Sequence, residues 1–199
     1  YKLIGHYPGG LAMATQVACA VFGAICGSNT ATAATMGAIA LPEMRKYKYD
    51  NSMATASIAA GGVLGVLIPP SVIFIVYGMA TGESVGRLFM AGILPGILLM
   101  LLYIAALYIL ILRNPALGPA GPKSNWRERI ESLRGGLGEV LFVFVLSIGG
   151  LFAGWFTPTE AGAVGAAGVL FVSLLERRLS WEGFKKSLYD TTRTSAMIL

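Results

Sequence analysis

The chain has 199 residues, 55% of them hydrophobic and 13% charged, with a mean hydropathy of +0.69. A soluble domain carries about 25% charged residues, so this composition excludes an ordinary soluble domain. Several apolar runs approach or exceed the roughly 20 residues that span a bilayer. The net charge of +5 is gathered between those runs. Together these features predict an all-α polytopic membrane protein in a lipid bilayer, with no nucleic-acid partner.

In chain order, residues 1–50 read as a re-entrant helical hairpin with its tip at 27–32. One arm, "GGLAMATQVACAVFGAIC", nearly spans a bilayer; the other, "ATAATMGAIALPEM", is shorter and is expected to end at Pro42 and Glu43. Residues 51–87 read as a broken transmembrane helix followed by a periplasmic loop. Pro69 and Pro70 cannot donate backbone hydrogen bonds, Pro70 disfavours helical geometry at Pro69, and Gly61, Gly62 and Gly65 loosen the preceding turn. Residues 88–112 form an uncharged transmembrane helix ending at Arg113. Residues 113–135 read as a cytoplasmic linker, "NPALGPAGP", and an amphipathic helix with Asn125 and Glu128 at its start and Trp126, Ile130 and Leu133 on one face. Residues 136–177 read as two transmembrane helices joined by a periplasmic turn, the second opened by Thr157, Pro158 and Glu160. Residues 178–199 read as a cytoplasmic loop and the start of a further helix. Tyr1 and the closing "SAMIL" suggest an internal segment of a longer protein.

The basic residues orient these segments. If residues 10–44 leave the membrane on the side they entered and each later tract crosses once, fourteen of the fifteen Lys and Arg residues share one side and only Arg87 lies opposite. The positive-inside rule makes the shared side cytoplasmic. It places 45–50, 114–135 and 177–186 there, and 81–87 and 156–160 in the periplasm.

The tip at "CGSNTATAATMG" carries the chemistry. Gly27 lets the first helix end in a left-handed turn, leaving its last carbonyls without helical partners at the negative end of the dipole. Ser28, Asn29 and Thr30 are natural N-caps for the second helix, whose first amides carry positive character. One turn therefore offers oxygens to a hard cation and amides to an anion. The plainer alternative is a kinked helix whose small residues serve helix packing. Cys19, Cys26 and His6 read as packing or interfacial residues, because a metal site needs more ligands. No Gly-x-x-x-x-Gly-Lys loop occurs, so ATP-driven pumping has no support.

"GHYPGGLAMATQVACAVFGAICGSNTATAATMGAIALPEMRKYKYD", "IPPSVIFIVYG", "AGILPG" and "FTPTEAGA" resemble, in that order, the large membrane subunit of tripartite ATP-independent periplasmic (TRAP) transporters. "SNT" is also similar to the tip motif of sodium–dicarboxylate symporters. The resemblance implies the first inverted repeat and scaffold helices of an elevator-type, sodium-coupled secondary transporter in the bacterial inner membrane, without an organic cofactor. Its implied partners are a small membrane subunit, a periplasmic substrate-binding protein and an organic carboxylate such as a C4-dicarboxylate or sugar acid. The family's second hairpin and second broken helix are not in this sequence. On the matching positions, Ser28, Asn29 and Thr30 fall at the first hairpin tip, and Gly65, Pro69, Pro70 and Ser71 at the first broken helix. The capped, positive start of the second hairpin helix makes Asn29, Thr30 and Thr32 the expected holders of the substrate carboxylate. Sodium is expected at Ser28, Asn29, Gly65 and Pro69, with Thr30 and Ser71 as second choices, and Gly27, Gly65, Pro69 and Pro70 make the structural breaks. Three alternatives stand beside this reading: a single-component sodium–dicarboxylate symporter, an intramembrane enzyme and a structural membrane subunit. An enzyme would need a base beside Ser28 or Ser71, and the apolar tracts supply none.

Overall fold

The computed structural model describes residues 5–121, 137–176 and 179–198. The described residues are helical and contain no strand. They fall into two compact units, divided between Gly135 and Gly136.

The first unit holds α1 (Gly10–Cys26), α2 (Asn29–Lys46), α3 (Asn51–Leu67), α4 (Val72–Thr81) and α5 (Val85–Arg113), with a short 3-10 turn at Pro115–Leu117. Left-handed Gly27, at φ 63°, ends α1, and its N–H donates to Gly23 O at 2.7 Å. Ser28 then caps α2 by accepting from Ala31 N at 3.4 Å. Asp50 caps α3 through Met53 N at 2.9 Å. The shorter arm does not stop at Pro42: α2 carries Pro42 inside it and runs on to Lys46. A proline removes one backbone donor, and here the helix continues past that loss.

The core of this unit is built on α3. Gln16 of α1 donates its Nε2 to Ser57 O of α3 at 2.7 Å. Along the same pair, Cys19 lies against Gly61, and Gly23 against Gly65. Both series ascend, so α1 and α3 run parallel. On α2 the order reverses: Ser28 and Thr32 meet Gly65, Ala33 meets Gly62, and Gly37 faces Ile58. Gly61, Gly62 and Gly65 therefore form a side-chain-free face into which both hairpin arms press. In lipid, where tails are as apolar as Leu, such close approach and its dispersion energy hold helices together.

The hairpin begins and ends at one end of the unit. Gly9 N donates to Gly118 O at 2.9 Å, Asp50 N to Leu117 O at 3.2 Å, and Leu11 N to Tyr49 Oη at 3.1 Å. The opposite end carries the tip. There α5 packs back on the chain, with Gly92 against Leu67 O and Phe74, and Gly96 against Ile68.

Among the described residues, α5 is the one unbroken helix long and apolar enough to cross a membrane, and the α3–α4 pair meets the same test if its 40° bend lies within one span. Leu94, Leu98, Leu101, Leu102 and Ile109 are exposed on α5, a surface suited to lipid.

The second unit holds α6 (Leu137–Phe152), α7 (Pro158–Leu175) and α8 (Trp181–Ile198). Val143 faces Gly168 and Gly150 faces Phe156, so α6 and α7 form an antiparallel pair. Left-handed Gly154, at φ 76°, turns the chain between them. At 16 residues, α6 is about 24 Å long, and the chain turns after Phe152. The final segment also differs from expectation. Lys185, Lys186 and Arg193 lie within α8 rather than in a loop, because Ser180 starts the helix by accepting from Gly183 N at 3.0 Å. The amphipathic helix expected at 125–134 lies outside the described residues.

Candidate functional site at the hairpin tip

The tip and the break meet. A β-carbon on Gly65 would stand 2.5 Å from Thr32 Oγ1 and 2.8 Å from Ser28 O; one on Gly27 would stand 2.6 Å from Pro70 O. Val72 N donates to Gly27 O at 3.3 Å, joining the first residue of α4 to the turn after α1. Two helix C-termini, of α1 and α3, and two N-termini, of α2 and α4, thus converge within a few ångströms. Their partial charges are of opposite sign, so the junction presents oxygens and amides with no net side-chain charge. No Asp, Glu, Lys, Arg or His occurs at 7–42 or 51–82, and among the described residues no three His, Cys, Asp or Glu cluster.

The break follows from its donors. In a continuous helix the carbonyls of Gly65 and Val66 would accept from residues 69 and 70, which are prolines without N–H groups. Ile68 is extended, at φ −86° and ψ 120°, as the residue before a proline prefers. Pro69 and Pro70 are joined by a cis peptide. Ser71 restarts the helix by accepting from Phe74 N at 3.5 Å.

The site residues expected from sequence take three positions here. Asn29 and Thr30 are exposed at the tip, with Ser28 half-buried beside them. Ser28 Oγ lies 3.2 Å from Thr30 Oγ1, and Asn29 Oδ1 accepts from Thr30 N at 2.7 Å. Gly27, Gly65, Pro69 and Ser71 are buried, with Pro70 half-buried. Thr32, grouped in the sequence reading with Asn29 and Thr30 as an expected holder of the carboxylate, is fully buried against Gly65. Its hydroxyl donates to Ser28 O at 2.7 Å, and its amide donates to the same oxygen at 3.0 Å. In this arrangement Thr32 fixes the direction of the Ser28 carbonyl from beneath.

Two contributors were missed in the sequence. Cys26 Sγ lies 3.1 Å from Thr32 Oγ1 and 3.5 Å from Ser28 O, so it belongs to the tip's hydrogen-bond network. Gly92 and Gly96 let α5 approach the break closely. Their four-residue spacing in "AGILPG" is a legible small-residue stripe, though the sequence does not say which helix it meets.

Residues 1–199 match the family described as "Tripartite ATP-independent periplasmic transporter, DctM component". The chain is 42% identical over 197 residues, 98% of its length, to the C4-dicarboxylate TRAP transporter large permease protein DctM of Pseudomonas aeruginosa, covering 45% of that protein. It is 38% identical over 195 residues, again 98% of its length, to the ectoine/5-hydroxyectoine TRAP transporter large permease protein UehC of Ruegeria pomeroyi, covering 44% of it. It is 36% identical over its full length to the isethionate TRAP transporter permease protein DctMQ of Oleidesulfovibrio alaskensis, covering 31% of it. The chain thus spans less than half the length of each of these relatives, all named as transporter permease proteins. By its match from end to end, and by the ordered motifs that build the tip and the break, this chain belongs to the DctM-component family of TRAP transporters.

Proposed function

We propose that this chain forms the first hairpin, first broken helix and adjoining scaffold of a sodium-coupled, elevator-type importer of organic acids. The protein works in the bacterial inner membrane with a small membrane subunit and receives substrate from a periplasmic binding protein. The observation that carries the reading is the meeting of two uncharged helix breaks, Gly27–Ser28 and Ile68–Ser71. Irregular backbone at membrane depth is tolerated only where it is buried in protein or lines a wet cavity, and paired broken helices are where secondary transporters bind substrate and ions. The common end of the hairpin's two arms and the one-sided basic residues support a re-entrant hairpin entered from the cytoplasm.

Sodium is assigned to neutral oxygens: Ser28 Oγ, Asn29 Oδ1 and the carbonyls of Gly65 and Pro69, with Thr30 and Ser71 further out. Neutral ligands suit an ion that must also leave. The substrate carboxylate is assigned to the exposed side of the tip, at Asn29 and Thr30, above the positive end of α2; Thr32 supports that turn from below. The relatives' names span C4-dicarboxylate, ectoine and isethionate; carboxylates such as C4-dicarboxylates or sugar acids are the class assigned here.

The test is reconstitution of the full-length protein with its small subunit in vesicles. Uptake of a radiolabelled carboxylate is expected to require both an inward sodium gradient and the soluble binding protein. Uptake that persists without sodium would overturn the coupling. Saturable uptake without the binding protein would favour a single-component symporter.

A further inference from the structure

Between the end of α7 and the start of α8 lies an apolar cavity of about 250 Å³, lined by Leu170, Leu174, Leu179, Ser180, Trp181 and Phe184. It is far in sequence from the tip. Its wall is mostly open: Leu174 is 56% exposed and Trp181 68%. The Trp181 and Phe184 rings stack at 5.7 Å, and Lys185 Nζ stands 5.4 Å from the Trp181 ring centroid. A lysine over an indole face keeps its stem on apolar surface and its ammonium at the rim.

The rest of α8 continues the pattern. Trp181, Phe184 and Leu188 recur at three- and four-residue spacing, so they share one helix face. Lys186 and Arg193 lie on the polar side, with Glu182 and Asp190 as the acidic groups of the helix. Arg177 and Arg178 precede it in the sequence. Glu176 ends α7, so this stretch carries five basic residues against three acidic ones. A helix with an aromatic and leucine face, Lys185 at its border and a basic surround fits the plane between acyl chains and headgroups. The basic excess complements the anionic lipid of the cytoplasmic leaflet.

We propose that this groove is a binding site for an anionic phospholipid of the cytoplasmic leaflet. An acyl chain lies in the cavity between Leu170, Leu174 and Phe184, and the phosphate lies at Lys185. The inference rests on the membrane reading above, and its readout is lipid binding rather than transport, so either can fail alone.

The full-length protein is purified in a mild detergent. Native mass spectrometry then follows retention of phosphatidylglycerol and of phosphatidylcholine with the same acyl chains. The wild type is expected to hold one phosphatidylglycerol roughly fivefold more tightly than phosphatidylcholine, on the order set by one basic side chain near an anionic group. Leu174→Trp fills the cavity and should remove that lipid with either headgroup; Leu174→Phe does the same more mildly if the larger ring disturbs folding. The variant Lys185→Gln should abolish the headgroup preference while phosphatidylcholine still binds. Undiminished phosphatidylglycerol in both Leu174 variants overturns the site. So does a wild type with no headgroup preference. A Leu174→Cys thiol shielded from a maleimide in delipidated protein would show that another part of the protein fills the groove, and would overturn it equally.

Discussion

Two neighbouring helical stretches of the first unit each contain proline and respond in opposite ways. In α5, Pro95 lies inside a 29-residue helix that continues to Arg113. Between α3 and α4, Pro69 and Pro70 end one helix and require another cap before the next begins. One proline removes one donor, and neighbouring turns carry the helix past it. Two in succession remove adjacent donors, and the second also disfavours helical geometry at the first. The side chains differ in the same sense. The exposed Leu and Ile of α5 suit lipid, whereas α3 presents Gly61, Gly62 and Gly65, so the hairpin reaches its backbone. A membrane-grade sequence thus makes a lipid-suited surface with bulky side chains and a close helix contact by removing them.

The sharpest way to break that contrast is to give the bare face a side chain. Gly65→Val would place branched carbons where Thr32 Oγ1 and Ser28 O already stand. Overpacking of this kind costs about 1–3 kcal/mol, and the neighbours here are backbone and a buried hydroxyl with little room to move. Sodium-driven uptake is expected to fall at least tenfold, with the sodium concentration for half-maximal uptake raised in whatever activity remains. A well-expressed Gly65→Val protein with wild-type sodium dependence would remove Gly65 from the site. The proline comparison is tested next. Pro69→Ala/Pro70→Ala restores two donors and should cut uptake several-fold or more, whereas Pro95→Ala in α5 should leave it within twofold. Equal losses from the two changes would mean that the break has no special role.

A smaller effect is expected from the hydroxyls. Ser28→Ala removes both a cap and a proposed sodium ligand, and should raise the half-maximal sodium concentration several-fold. Thr32→Val keeps the shape but deletes the 2.7 Å bond to Ser28 O. A neutral hydrogen bond is worth about 1 kcal/mol, roughly fivefold in a binding constant, so its effect should be comparable or less. If Thr32→Val leaves sodium dependence untouched while Ser28→Ala shifts it, the Thr32 hydroxyl gives the proposed sodium site no support through Ser28, whose carbonyl the Thr32 amide still holds.

Much of this was legible before the structure. The hairpin turn followed from "CGSNT", because glycine and short oxygen-bearing side chains end and start helices for stated reasons. The break followed from Pro69 and Pro70, whose missing donors can be counted from sequence. The passage of α2 through Pro42 was less legible: a lone proline ends or only perturbs a helix depending on what packs around it. The burial of Thr32 was hidden for a related reason. Thr30 and Thr32 are both hydroxyls in one turn, and only the placement of Gly65 decides which faces inward. The helical start at Trp181 was readable from Ser180 and the 181, 184, 188 spacing, but the basic residues there drew it into a loop.

The smallest expected effect lies at the other kind of helix start, where a charged cap replaces the neutral caps of the tip. Thr157 and Glu160 cap α7 reciprocally: Thr157 N donates to Glu160 Oε2 at 2.8 Å, and Glu160 N donates to Thr157 Oγ1 at 3.3 Å. Glu160 precedes the apolar stretch Ala163–Leu175. The Thr157 amide, then the Thr157 hydroxyl, hold its carboxyl below the ordinary carboxylate value. A depressed folded-state pKa stabilises the fold above the unfolded value, and that contribution is lost as pH falls through the folded one. The melting temperature of Glu160→Ala should therefore lie slightly below wild type at pH 7, and the gap should close as the medium is acidified past the carboxylate range. Ser28→Ala, at a cap with no ionisable group, should show a gap that does not close. If the Glu160→Ala difference stays constant down to low pH, the carboxylate's charge contributes nothing to that cap, and the two helix starts do not differ in the way their residues suggest.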